Sequence, residues 1–145
     1  MKLILQRVSS ASVYISEKEV SSINRGILVL FCAEKEDSER QVSFLVDKIL
    51  NLRIFGDSRG KMNFSCLDVK GDILVVPQFT IAGNCSRGRR PSFERAASPD
   101  SAKTLYEDFV KLLIKSGLKV GLGKFAADMK VHLVNDGPVT LLLEH

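Results

Sequence analysis

The chain has 145 residues, 45% hydrophobic and 26% charged, an ordinary composition for one soluble globular domain able to bury a core. Its 21 Lys and Arg exceed 17 Asp and Glu, a net charge of +4 that only weakly favours a polyanionic partner. No run of about 18 apolar residues occurs, so no membrane span is expected; three scattered cysteines without a CxxC pair, and two histidines, argue against a disulfide framework, a metal site or a histidine-based triad.

In chain order, KLILQRV (2–8) and ASVYI (11–15) predict one long or kinked strand bent at Ser9-Ser10. Gln6-Arg7 break the apolar run that a signal peptide would need, so a cytoplasmic location is expected. Val20 to Ile23 should pair back, Asn24-Arg25-Gly26 should turn, and the apolar run Ile27 to Ala33 reads as a central strand. Glu34 to Asp37 reads as a solvated connection. Ser38 and Gln41 form a capping box, and Val42, Leu45, Val46, Ile49 and Leu50 recur at helical spacing. Leu52 to Phe55 alternates like a strand, 57–60 is a turn, and 61–70 is irregular, with room for a short strand or hairpin.

The stretch GDILVVPQFT (71–80) is the most informative. Ile73 to Val76 is a strand covered on both faces, running into the polar mouth Pro77-Gln78-Phe79-Thr80, where a rigid scaffold presents groups to solvent. A loop follows with Arg87, Arg89 and Arg90. Ser98 caps a second helix opened by Pro99 and Asp100, with Leu105, Phe109, Leu112 and Leu113 as its buried stripe, Tyr106 and Val110 widening it, and Gly117 past its end. Residues 118–125, 128–134 and 139–143 read as three closing strands, with Gly137-Pro138 between the last two. The expected fold is mixed α/β: β-sheets in a sandwich or barrel-like core, two helices covering one side, and one domain over 1–145.

Few residues offer chemistry. Thr80 is a hydroxyl at a strand mouth, but threonine is also a β former, and no histidine stands ready to activate it. His132 falls on the face opposite Met129, Val131 and Leu133 and reads as solvated; His145 reads as frayed, and the cysteines as small buried hydrophobes. The arginines at 87, 89 and 90 suit either a solvated loop or phosphate contact. Phe79, Phe125 and Met129 suit either core or a floor for a nucleobase. The carbonyls of Gly137 and Pro138 are candidates to face a ligand.

The blocks LQRVSSASV (5–13), KILNLRIFGDSRGKMN (48–63), LVVPQFT (74–80), GRRPSF (88–93), KFAADMKVHLVNDGPVT (124–140) and LLLE (141–144) resemble D-aminoacyl-tRNA deacylases almost end to end. The resemblance implies a homodimer that hydrolyses the ester between a D-amino acid and the terminal adenosine of tRNA, with no cofactor and no metal. It implies an active site at the dimer interface, where a cis Gly137-Pro138 peptide enters the partner's pocket and its carbonyls receive the substrate's α-amino group. An L side chain would collide there. Gln78, Phe79 and Thr80 would form the catalytic strand end, Phe125 and Met129 would hold the adenine, and Arg7 would brace the Gly-Pro turn. Arg87, Arg89 and Arg90 would face the tRNA acceptor end. The family's usual Ser-Gln-Phe-Thr reads Pro77-Gln78-Phe79-Thr80 here, so a serine hydroxyl and a backbone donor are lost. Two mechanisms stay open: Thr80 as nucleophile, or the 2′-hydroxyl of the tRNA assisting while the protein supplies position and main-chain donors. Editing of glycyl- or L-alanyl-tRNA, or an impaired nucleic-acid-binding homologue, are the alternatives.

Overall fold

The computed structural model describes residues 1–145. Strand β1 (Lys2–Ile15) forms a hairpin with β2 (Lys18–Ile23), and β3 (Gly26–Cys32) then returns along the same edge of β1. The first half of β1 thus pairs with β3 and its second half with β2. Helix α1 (Glu39–Asn51), a short β4–β5 hairpin (Phe55–Gly56, Met62–Phe64), β6 (Asp72–Pro77) and a 3-10 turn (Phe79–Ala82) follow. Helix α2 (Pro99–Ile114), β7 (Val120–Leu122) and β8 (Lys130–Glu144) complete the chain. The main sheet runs β2-β1-β3-β6-β7, and β8 pairs along the other edge of β1. Because β1 bends, the six strands curl into a nearly closed barrel-like sheet.

Local signals account for the elements. Ser38 Oγ accepts from the Arg40 amide while the Gln41 side chain accepts from the Ser38 amide at 3.0 Å, so the capping box forms. Ser98 caps α2 with Pro99 in its first turn, where a missing N–H costs nothing. Both helices lie on one face of the sheet. Val42, Leu45, Val46 and Ile49 of α1, with Leu105, Phe109 and Leu113 of α2, pack on Leu3, Leu5, Ile27, Val29, Phe31, Ile73 and Val75. Alternate residues of the same strands (Val8, Ala11, Val13, Ile23, Leu28, Leu74, Val76) form a second cluster, closed by Met129, Val131 and Leu133. Full burial of each such side chain stabilises by about 1.5–3 kcal/mol. The double burial of β6 explains its unbroken aliphatic run.

Several expectations need correction. The last two closing strands are one, β8, because bent β1 offers it a partner along its whole length. Leu52 to Ile54 are not strand; only Phe55 and Gly56 pair, with Phe64 and Met62. The 34–37 connection is not merely solvated: Asp37 Oδ2 accepts from the Glu34 amide at 2.6 Å, and the Glu34 carboxylate sits 3.3 Å from Lys2 Nζ and 3.5 Å from Arg95 Nε. His145 stacks on Phe44 at 4.0 Å between ring centroids. Cys32 and Cys66 are buried, but Cys85 is exposed on the arginine loop.

Burial pushes the Cys66 thiol up from 9.0 to about 12, helped by the nearby Asp72 carboxylate. The unfolded chain releases this proton first, so stability is full below about pH 9 and falls as pH rises from there towards 12. One such group contributes a slope of up to about 1.4 kcal/mol per pH unit. Urea unfolding between those limits is expected to show this loss, and Cys66→Ala to flatten it; an unchanged slope in the variant would place the loss elsewhere.

Candidate active site

Where the doubly covered strand β6 ends, the chain cannot continue the sheet. Gln78 makes one last ladder contact, its amide donating to Phe31 O at 2.7 Å, and the backbone then winds into the 3-10 turn Phe79–Ala82. Within that turn the amides of Ile81 and Gly83 donate to Gln78 O and Thr80 O. The amides of Phe79 and Thr80, first in the turn, make no hydrogen bond. Pro77 costs no strand pairing at this point, because β7 stops at Leu122, opposite Val75.

A cavity of about 700 Å³ opens at this strand end. Its walls are Phe31, Val76, Pro77, Gln78 and Phe79 from the sheet side, Phe93 to Ala102 in part from the segment leading into α2, and Phe125 to Met129 from the β7–β8 turn. Thirteen of its 17 lining residues are hydrophobic, so a ligand's flat apolar parts fit it better than its charged ones. Phe79 is 57% exposed and meets Phe93 edge-on at 5.1 Å. Tyr106, buried beneath, donates to Gly123 O (3.0 Å) and Val75 O (3.2 Å), tying the start of the β7–β8 turn to β6; burial raises its pKa. Gly123 allows that close approach: a Cβ there would lie 3.1 Å from Met129 Sδ and 3.2 Å from Pro77 Cδ.

Thr80 Oγ1 accepts from Gln78 Nε2 at 2.5 Å, and no acid, base or other side chain bonds it. Thr80 is exposed at the edge of the cavity and does not line it. The arginine loop is closed at its neck by paired Asn84 and Ser92 amides and carbonyls (2.8 and 3.0 Å). Arg87, Arg89 and Arg90 are exposed on it, beside the Phe93 that forms the cavity rim.

Arg7, Gly137 and Pro138 form a second centre, outside that cavity's lining. Gln6 pairs with Thr140 and Val8 with Asn135, so Arg7 of β1 stands against Asp136, Gly137, Pro138 and Val139 of β8. The surplus backbone bulges out, with Gly137 at φ +147° and a cis Gly137–Pro138 bond, both residues exposed. Arg7 Nε donates to Asp136 O (2.8 Å) and Nη1 to Ile54 O (2.5 Å). Asn135 clamps the far side: its Oδ1 accepts from the Val139 amide (2.7 Å) and its Nδ2 donates to Thr140 Oγ1 (3.0 Å).

The family model described as D-Tyr-tRNA(Tyr) deacylase matches residues 4–144. The chain belongs to this family. A D-aminoacyl-tRNA deacylase of Thermotoga petrophila is 56% identical over 144 residues, covering 99% of this chain and 97% of that protein. One from Clostridioides difficile is 51% identical, with the same coverage. Among solved structures, the c-Myc DNA Unwinding Element Binding Protein superposes with a TM-score of 0.94 at 41% identity, over 100% of this chain and 99% of that one. A probable eukaryotic D-amino acid tRNA deacylase superposes at 0.83 with 19% identity, a likeness of fold alone, over 98% and 97% of the two chains.

For this deacylase-family chain, the cavity gathers Gln78, Phe79, Phe125 and Met129, while Arg7, Gly137 and Pro138 cluster apart from it. Sequence reasoning passed over the Phe93–Ala102 wall, Gly123 and Asp128. Small residues before a helix cap carry no periodic signal, and a lone aspartate in a turn looks solvated.

Arg7→Ala removes two carbonyl partners at once. It is expected to cost about 1–3 kcal/mol in urea unfolding and to speed amide hydrogen exchange at Val139. Arg7→Lys, which lacks the guanidinium fork, should recover only part of the loss. Wild-type stability with unchanged exchange would show that Arg7 does not hold the bulge.

Proposed function

We propose that this chain removes D-amino acids from tRNA, hydrolysing the ester that joins them to the terminal adenosine. The observation that carries the mechanism is the pair of unbonded main-chain amides of Phe79 and Thr80 at the edge of an apolar cavity. Water adds to the ester carbonyl, and the tetrahedral oxyanion is received by those two donors. Collapse breaks the bond to the ribose oxygen, which takes a proton, and free amino acid and tRNA leave. Phe125 and Met129 support the adenine, and Gln78 holds Thr80 in place. Arg87, Arg89 and Arg90 meet acceptor-stem phosphates.

Thr80 lacks any base within hydrogen-bond reach, which favours assistance from the 2′-hydroxyl of the tRNA over a side-chain nucleophile. Pro77 fits the same mechanism, since no step requires a hydroxyl at that position. Stereochemical choice falls to the Gly137 and Pro138 carbonyls. Their bulge is exposed and lies outside its own chain's cavity, so it is suited to enter the cavity of a second copy. A homodimer working in the cytoplasm, each 145-residue chain acting as one domain, is the assembly this reading requires. Carbonyls there receive the α-ammonium of a D-aminoacyl group and collide with an L side chain.

Matched tRNA charged with D- or L-tyrosine tests the reading: loss of the D-ester with survival of the L-ester is expected, and equal loss would overturn it. Thr80→Ala should keep activity within about tenfold, because removing a true side-chain nucleophile costs about a million-fold in kcat. A DNA-binding role without turnover is the second reading, favoured by the exposed arginines and by the name of the 41% identical structural relative. Salt-sensitive binding with no release of D-tyrosine would support it.

A further inference from the structure

The main-chain bonds between β6 and β7 stop at a specific carbonyl. Ile73 of β6 donates to Lys119 O at 2.9 Å, and the last bond of the ladder is the Gly123 amide donating to Val75 O at 2.7 Å. Bonds in a parallel pair are evenly spaced, so the amide that would face Gly123 O next is that of position 77. Pro77 has no amide hydrogen. Its ring stands at this very point, with Cδ 3.2 Å from where a Cβ on Gly123 would lie. Gly123 is buried, and its carbonyl has one partner, the Tyr106 hydroxyl at 3.0 Å. A buried carbonyl without a donor is costly, so this bond fixes where the backbone leaves the sheet. Val75 O, the second acceptor of the hydroxyl at 3.2 Å, already holds the Gly123 amide and depends on Tyr106 less.

What Gly123 carries with it is the wall of the cavity. Phe125 follows two residues later, its ring centroid 6.1 Å from that of Tyr106. Met129 Sδ lies 3.1 Å from the same Cβ position on Gly123. We propose that Tyr106 is a positioning residue for the adenine site: its hydroxyl supplies the donor that Pro77 lacks and so sets the wall formed by Phe125 and Met129. Tyr106 is buried and does not line the cavity, so it acts through the turn and touches no substrate. The inference rests on the deacylase reading above. It places Tyr106 in binding of the terminal adenosine, apart from the hydrolytic step that falls to the Phe79 and Thr80 amides.

The test measures hydrolysis of D-tyrosyl-tRNA and its inhibition by uncharged tRNA, either intact or lacking the terminal adenosine. With the wild-type enzyme, intact tRNA is expected to inhibit more strongly. Tyr106→Phe keeps the ring and removes only the hydroxyl. It should raise KM, and shrink the advantage of intact tRNA, by about three- to tenfold, the worth of one hydrogen bond, with kcat held within about twofold. In a Pro77→Ala background, where position 77 regains an amide, the same substitution should cost much less. A residue that served stability alone would shift urea unfolding and leave the advantage of intact tRNA untouched. That result, or an equal loss in both backgrounds, would overturn the proposal. If the wild-type enzyme gained nothing from the terminal adenosine, the adenine assignment would fail and this inference with it. If it released no D-tyrosine at all, the deacylase reading itself would be the part that fell, taking the inference along.

Discussion

A single guanidinium holds the β1–β8 seam at the point where the two strands fall out of step. One residue of β1 faces four of β8, and a surplus of that size in an antiparallel pair either unravels locally or is pinned. Arg7 pins it by reaching Asp136 O on the bulge and Ile54 O beyond α1, and Asn135 closes the other side through the Val139 amide. The ladder resumes at Thr140, so β8 remains one strand on both sides of an exposed loop. That continuity matters to the cavity as well, because β8 follows directly on the turn whose residues Phe125 to Met129 line it, and contributes Val131.

The cavity has a different logic. Its polar contribution comes mainly from the backbone: two amides left over where a buried parallel strand turns abruptly into a 3-10 turn. Main-chain donors do not titrate, and they are positioned by the strand behind them. A site of this kind needs no perturbed acid or base, and neither Gln78 nor Thr80 is placed to act as one. The remaining walls are apolar and set by contact distances, with Gly123 admitting the close approach of Pro77 and Met129 and Tyr106 tying the turn to β6.

Much of this was legible in the residues. The capping box at Ser38 and the Ser98-Pro99 start placed both helices, since caps are local chemistry that tertiary packing seldom overrides. The aliphatic run of β6 announced burial on both faces, and Gln78 and Phe79 at its end line the cavity as their position suggested. The division of 128–143 into two strands failed because Gly-Pro is an ordinary stop signal, and only the partner strand β1 shows that pairing resumes beyond it. Cys85 and His145 were misjudged for a similar reason: whether a small thiol is buried, or a final imidazole stacks on Phe44, depends on neighbours far away in sequence.

The sequence by itself determined the helices, the alternating burial of the strands and, through its long matched blocks, the family. These follow from short-range periodicity, caps and order along the chain. Only the tertiary structure decided that the strand-end residues share one cavity with Phe125, Asp128 and Met129, while Arg7 and the Gly-Pro bulge stand together elsewhere. The reason is geometric: each grouping joins segments far apart along the chain, which only strand pairing and packing bring together.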